Sequence, residues 1–391
     1  MTRPNQRLLI HHARLFTPVQ PGRAGWLLVE GGQIRSIGFG QAPEFREDPS
    51  LQKVNAQGDM LLPGFIDLHV HGAMGHELMD ASPAGLEEMA RFYASHGVTG
   101  FLATTWTSSR ESILKALELV EEMRGPIRNG STLLGVHLEG PYLHPTRCGA
   151  QEVSYIRRAE RAEAREFLDT GVIRLLALAP EFEENHWLIE ECVKRGITVS
   201  AAHTTASYEQ MQMAAMRGVS QVTHTFNAMQ GLGHREPGTV GAALTIPQLS
   251  CELIADNHHV HPAVQKILVD VKTPSGVILI TDAVRPAGLP PGEYMLDDRP
   301  ANNRTGAVRL ADGTLAGSVL TMERALQNIC AATGRPLTEM WPASSLNAAR
   351  SIGLSSCKGS LEAGKDADLV LLDESFQVHL TVAQGEIVFQ Q

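Results

Sequence analysis

The 391-residue sequence is short of basic charge: 33 lysines and arginines face 43 aspartates and glutamates, a formal net charge of −10. A nucleic-acid binder or a protein lying on anionic lipid needs a basic face, so neither class of partner is expected. A small cationic pocket for a phosphorylated metabolite remains compatible with this balance. Long apolar runs are also missing. No stretch reaches the ~18 apolar residues of a membrane span. The opening MTRPNQRLLIHHARLF breaks its apolar run with His11, His12 and Arg14, leaving no signal-peptide core. The five cysteines (Cys148, Cys192, Cys251, Cys330, Cys357) are odd in number and lack zinc-finger or thioredoxin spacing. They are expected to be reduced thiols of a cytoplasmic protein. A GxGxxG turn after the first buried strand is absent as well, which argues against a doubly wound dinucleotide fold.

What is present is enough apolar sequence, 43%, for a sizeable core. Both ends read as short strands around glycine turns: RLLIHHARLF, WLLVE, Gly31-Gly32 and QIRSIG at one end, DADLVLLD and FQVHLTVAQGEIVFQ at the other. The two ends are therefore expected to join into one small β-sandwich domain, 1–60 plus 355–391, with 61–354 inserted between them. The middle alternates buried strands with amphipathic helices. Eight strand candidates run from LPGFIDLHVH through VTGFLATT, LLGVHLEG, VIRLLALAP, ITVSAAH, QVTHTF and SCELIAD to GVILITDA. PAGLEEMARFYASHG, SRESILKALELVEEM and HPAVQKILVDVK are among the intervening helices. This is the pattern of an α/β fold of the (β/α)8 TIM-like barrel type. Two further helices are expected from about Ser318 to Thr333 and from Pro342 to Ile352. Met211, Met213 and Met216 in QMQMAAMRG are expected to be core.

The polar residues fall where such a barrel does chemistry. His69 and His71 end the first strand, Glu139 the third, His203 the fifth and Asp282 the eighth, and His224 lies in the sixth. All strand carboxyl ends open on one face, so these six side chains should converge. Imidazoles and carboxylates without thiolate suit a divalent transition metal. His69 and His71, two apart on a strand, point to one side and can hold one ion. His203 and His224 can hold a second, with Glu139 bridging. Two such cations ~3.5–4 Å apart share a water, lower its pKa and polarise a carbonyl. Asp282 can move the proton, though an aspartate there could also cap a helix or act as a ligand. Any one of these histidines alone would more often be a satisfied core residue; the constellation carries the reading. His76 and His144, in loops near this face, stay unassigned.

PGFIDLHVHG, GVHLEGPYL, AAHTTA, THTFNAM, REPG, IADNHHVHP, ITDAVRPAG and LAGS, in this order, resemble the N-acetylglucosamine-6-phosphate deacetylases of the amidohydrolase superfamily. The resemblance implies hydrolysis of the acetamide of N-acetylglucosamine 6-phosphate to acetate and glucosamine 6-phosphate, in amino-sugar catabolism and recycling. It implies Glu139, His203 and His224 as main metal ligands, Asp282 as catalytic acid/base, and one or two divalent ions, zinc or iron first. His69 and His71 place the chain with the two-metal members. Sugar-phosphate contacts are implied for Ala150, Gln151, Asn227, Ala228, Arg235 and His259, and for the segment Leu315, Ala316, Gly317 and Ser318. One-metal members carry histidine where this chain has Gln151, which leaves the role of Gln151 open. Arg235 suits phosphate in its own right, since a guanidinium fork binds it bidentately. A homodimer is also implied. The rivals are the galactosamine 6-phosphate epimer, another amide or cyclic-imide substrate, and a non-catalytic scaffold.

Overall fold

A computed structural model of the chain describes residues 7–43, 49–296, 299–304 and 306–391. Eight parallel strands form the central sheet in sequential order: β1 Phe65–Val70, β2 Val98–Thr104, β3 Thr132–Glu139, β4 Ile173–Leu178, β5 Thr198–Ala201, β6 Val219–Val222, β7 Ser250–Ile254 and β8 Val277–Ile280. Strands buried on both faces read as apolar runs, which is why these segments stood out. Helices α1 Pro83–Ser95, α2 Arg110–Met123, α3 Arg161–Asp169, α4 Glu183–Lys194, α5 Tyr208–Arg217, α6 Gly238–Thr245, α7 Pro262–Lys272 and α8 Met322–Thr333 accompany them. Serines at positions 82, 109 and 207 cap α1, α2 and α5 by accepting from backbone amides of the first turn. The sheet closes just beyond the ends of β1 and β8. The Asp282 N–H donates to the His69 carbonyl at 2.9 Å, and the His71 N–H to the Ala283 carbonyl at 2.9 Å.

The chain ends build one hydrogen-bonded sheet of eight strands. Met60–Pro63 pairs antiparallel with Leu369–Leu372 and joins the two ends. Gly31 and Gly32 both have positive φ, 61° and 82°, the left-handed pair that a two-residue hairpin turn between Glu30 and Gln33 requires. Leu8, Ile10, Leu27, Leu369 and Val382 form a core of this sheet separate from that of the barrel.

Three expectations need correction. Ser318 does not start a helix: Leu315–Ser318 is the last strand of an antiparallel meander with Gly292–Leu296, Arg299–Arg304 and Ala307–Leu310. The Ser318 amide donates to the Asp282 carbonyl at 2.7 Å and its carbonyl accepts from Val284, so its backbone is already paired. The first of the two following helices accordingly starts late, at Met322; the second opens as a 3-10 turn at Trp341–Ser344 and continues as α-helix over Leu346–Ser351. His224 lies two residues beyond β6, in a turn with φ 30°. Of the three methionines on α5 Met211 alone is buried; Met213 and Met216, three apart, share the solvent face.

Candidate active site at the carboxyl ends of the barrel strands

A cavity of about 320 Å³ opens where the carboxyl ends of the strands meet. His71, Glu139, His203, His224 and Asp282 line it, and His69 lies fully buried directly beneath. Glu139 is the hub. Its Oε1 lies 3.2 Å from His224 Nε2, 3.3 Å from His203 Nε2 and 3.5 Å from His69 Nε2, and its Oε2 is 3.3 Å from His71 Nε2. Asp282 Oδ1 faces His69 and His71, 3.4 Å from each Nε2. His203, His224 and Asp282 all adopt positive φ, at 44°, 30° and 49°. Non-glycine residues hold that conformation only when their surroundings impose it, and such strain concentrates at functional positions.

Among the described residues three overlapping groups of side chains can hold a metal ion: His69, His71 and Glu139; Glu139, His203 and His224; and, beneath them, His69, His137 and Glu252. The Nε2 atoms approach in pairs, 3.3 Å for His69 and His71 and 3.1 Å for His203 and His224. Two neutral imidazoles turned nitrogen to nitrogen at that distance are relieved by a cation that both lone pairs can face. Without metal, protons take that place. Burial pushes the His71 imidazole down, but hydrogen bonds and charge from Asp282 and Glu139 outweigh it and raise the ring to about 9. The Glu139 carboxyl, despite burial, is held well below its usual range by the surrounding imidazoles. The nitrogen and oxygen donors thus fit a divalent metal, which binds in competition with protons.

Ala150, Gln151, Asn227, Ala228, His259, Leu315 and Gly317 also line the cavity. Gln151 is clamped: its Nε2 donates to Glu139 Oε2 at 2.5 Å and its Oε1 accepts from the Thr107 amide at 2.7 Å. His259 is backed by Asp256, whose Oδ2 accepts from Nδ1 at 2.7 Å, leaving Nε2 as the ring's other polar atom. Ala316 and Ser318 are fully buried and are not part of the cavity lining. Arg235 lies on an exposed loop outside the cavity of its own chain, and Glu236 does not pair with it.

Residues 60–388 match the amidohydrolase family. The chain belongs to this family. It is 36% identical to the N-acetylglucosamine-6-phosphate deacetylase of Bacillus subtilis (strain 168), over 98% of both chains. It is 37% identical to the N-acetylgalactosamine-6-phosphate deacetylase of Escherichia coli O157:H7, over 84% of this chain and 88% of that one. Among solved structures, a mutant of the Mycobacterium smegmatis N-acetyl-D-glucosamine-6-phosphate deacetylase in complex with N-acetyl-D-glucosamine-6-phosphate superposes with a TM-score of 0.90. That pair shares 30% identity over 98% of this chain and all of the other.

The site of this amidohydrolase also contains side chains that the sequence reading passed over. Trp106 stacks face to face on His71, with centroids 4.0 Å apart. Arg147 is the one lysine or arginine on the cavity wall among the described residues. Its carbonyl accepts from His203 Nδ1 at 2.7 Å, and its guanidinium donates to Gln230. Its position between HLEGP and Gln151 was the available signal. Asp67 accepts from the amides of His69 and Thr281 and from the Thr281 hydroxyl. Burial raises its carboxyl to about 7, with these hydrogen bonds opposing.

Proposed function

We propose that this amidohydrolase cleaves the acetamide of N-acetylglucosamine 6-phosphate, giving acetate and glucosamine 6-phosphate. The observation that carries the reading is the end-to-end match, over 98% of both chains, to a relative that bears this name. In this reading Glu139, His203 and His224 would hold one divalent ion, and His69, His71 and Glu139 a second; zinc and iron suit the donors. Such ions, when bound, supply Lewis acidity that lowers the pKa of a water and polarises the acetyl carbonyl. Asp282 accepts the proton of the attacking water and hands it to the amine nitrogen as the carbon–nitrogen bond breaks. Gln151, read from the sequence as a substrate contact, acts in this reading beside the metal ligands, supported by its hydrogen bond to Glu139 Oε2. Ala150, Asn227, Ala228, His259 and the segment Leu315 to Ser318 shape the sugar-phosphate side, and Arg147 adds a cation there. The barrel, 61–354, carries the chemistry, and 1–60 with 355–391 support it.

The protein is read as a cytoplasmic homodimer. Arg235, exposed and outside its own cavity, is suited to reach the phosphate in a partner's site. No described helix is long and apolar enough to cross a membrane. The galactosamine epimer is the second reading, favoured by the Escherichia coli relative. Acetate release from the two 6-phosphates by metal-loaded protein separates the readings. Faster turnover of the gluco sugar is expected; turnover of the galacto sugar alone reverses the assignment, and turnover of neither rejects both.

A further inference from the structure

Beneath the Glu139 cluster lies a second set of buried polar side chains that the proposed reaction does not use. Glu252 on β7 is fully buried, and among the described residues its only ion-pairing partner is His69, with Nδ1 3.3 Å from Oε2. The same Oε2 accepts from the His224 amide at 3.3 Å, and the Glu252 carbonyl accepts from the Thr225 amide at 2.9 Å. Oε1 accepts from Gln221 on β6, which is itself hydrogen-bonded to Ser351. His137 closes the set from β3, edge-on to His69 with centroids 4.5 Å apart and with both ring nitrogens unpartnered.

A buried carboxylate persists only where hydrogen bonds and a positive charge compensate it. The hydrogen bonds come from Gln221 and the His224 amide. Of the two rings beside it, His69 alone is hydrogen-bonded to Glu252 among the described residues, while both nitrogens of His137 are unpartnered. We propose that Glu252 is a positioning residue for the metal site. Its Oε2 accepts a hydrogen bond from the Nδ1–H of His69 and thereby turns Nε2 toward Glu139 and Asp282. Through the His224 amide it also pins the strained turn that presents the His224 ring. One carboxylate thus orients one imidazole in each of the two ligand groups built on Glu139. The polarised Nδ1–H···carboxylate contact raises the donor strength of the ring at Nε2.

This inference rests on reading His69 as a ligand, and the experiment separates the two. Wild type, Glu252→Gln and His69→Asn are stripped of metal and titrated with zinc against a chelating indicator. His69→Asn should lose a zinc-binding event that wild type shows. Glu252→Gln should keep that event with affinity about 10- to 100-fold lower. If His69→Asn titrates as wild type does, His69 is no ligand and both readings fall. If His69→Asn loses the event while Glu252→Gln binds with wild-type affinity, the role of Glu252 alone falls. A measurement on wild type covers the case of a misfolded variant. In zinc-loaded protein, the ¹⁵N resonances of His69 should report ligation at Nε2 and a retained proton on Nδ1. Ligation at Nδ1 overturns the proposal.

Discussion

Asp282 and Glu139 are both buried carboxylates among imidazoles, yet their contacts divide their work. Glu139 touches all four rings, whereas among the described residues the Asp282 carboxylate touches only His69 and His71 and lines the cavity. A residue with fewer fixed partners is the one free to exchange a proton. Asp282→Asn should therefore keep its metal, measured by elemental analysis, while turnover falls by ~10²–10⁴-fold or more. Near-normal turnover would remove the acid/base role. Arg147 gives a second test. A charge-assisted hydrogen bond contributes ~1.5–3 kcal/mol, about ten- to a hundredfold in affinity. Arg147→Ala should lower kcat/KM for the 6-phosphate by that factor and change the rate on unphosphorylated N-acetylglucosamine little. Equal losses on both sugars would mean that the residue acts through its loop, whose Arg147 carbonyl holds His203.

Short strands make the seam of the barrel dependent on side chains. β8 has four residues, and its contact with β1 lies mostly beyond the strand ends. Lower down, Asp67 on β1 bridges to Thr281, at the end of β8, with Oδ2 accepting from the Thr281 hydroxyl at 2.5 Å. Asp67→Ala would leave up to three buried donors without acceptors, at ~1–3 kcal/mol each. The metal-free variant should lose ~3 kcal/mol or more by urea unfolding, and Asp67→Asn, which keeps an acceptor, distinctly less. A loss under ~1 kcal/mol for Asp67→Ala would show that the ladder closes the seam unaided. On α5 the methionine spacing carried both faces of a helix, and only the neighbour packed against it selected Met211.

At the scale of the whole molecule, a buried ion pair ties the segment after the barrel to the terminal sheet. Lys358 Nζ lies 2.6 Å from Asp368 and 2.9 Å from Asp366, and Asp368 also accepts from the Gln384 amide. Burial lowers the Lys358 ammonium pKa, but the two carboxylates raise it further, so the net shift is upward. A raised folded value means the contribution is full below the unfolded lysine value of ~10.4 and fades only as pH rises through the folded one. Lys358→Met should thus cost ~3–5 kcal/mol at pH 7, because it strands a buried carboxylate. Equal melting temperatures for variant and wild type would show that the two parts do not rely on this pair. The proposed dimer is tested by mixing Arg235→Ala with Asp282→Asn under subunit exchange. A hybrid contains one cavity with intact Asp282 served by the partner's intact arginine, so activity should exceed the sum of the parents. Simple additivity would mean that Arg235 does not act across subunits.

The order of the eight strands and the polar residues at their ends were legible because buried parallel strands are apolar runs, and a barrel gathers every carboxyl end on one face. His69, His71, Glu139, His203, His224 and Asp282 could be grouped on that ground alone. The meander of Gly292–Leu296 to Leu315–Ser318 was not legible: its strands are short and partly exposed, and their polar composition reads as loop. Nor could SCELIAD show that Glu252 faces His69, since an apolar run buried on both sides does not say which residue points inward. The entry of Arg147 into the cavity and the placement of Arg235 outside it were likewise decided by loop paths. Local sequence determines which segments are buried and with what period; which buried groups meet is determined by contacts between residues far apart in the chain, and these exist only once the barrel has closed.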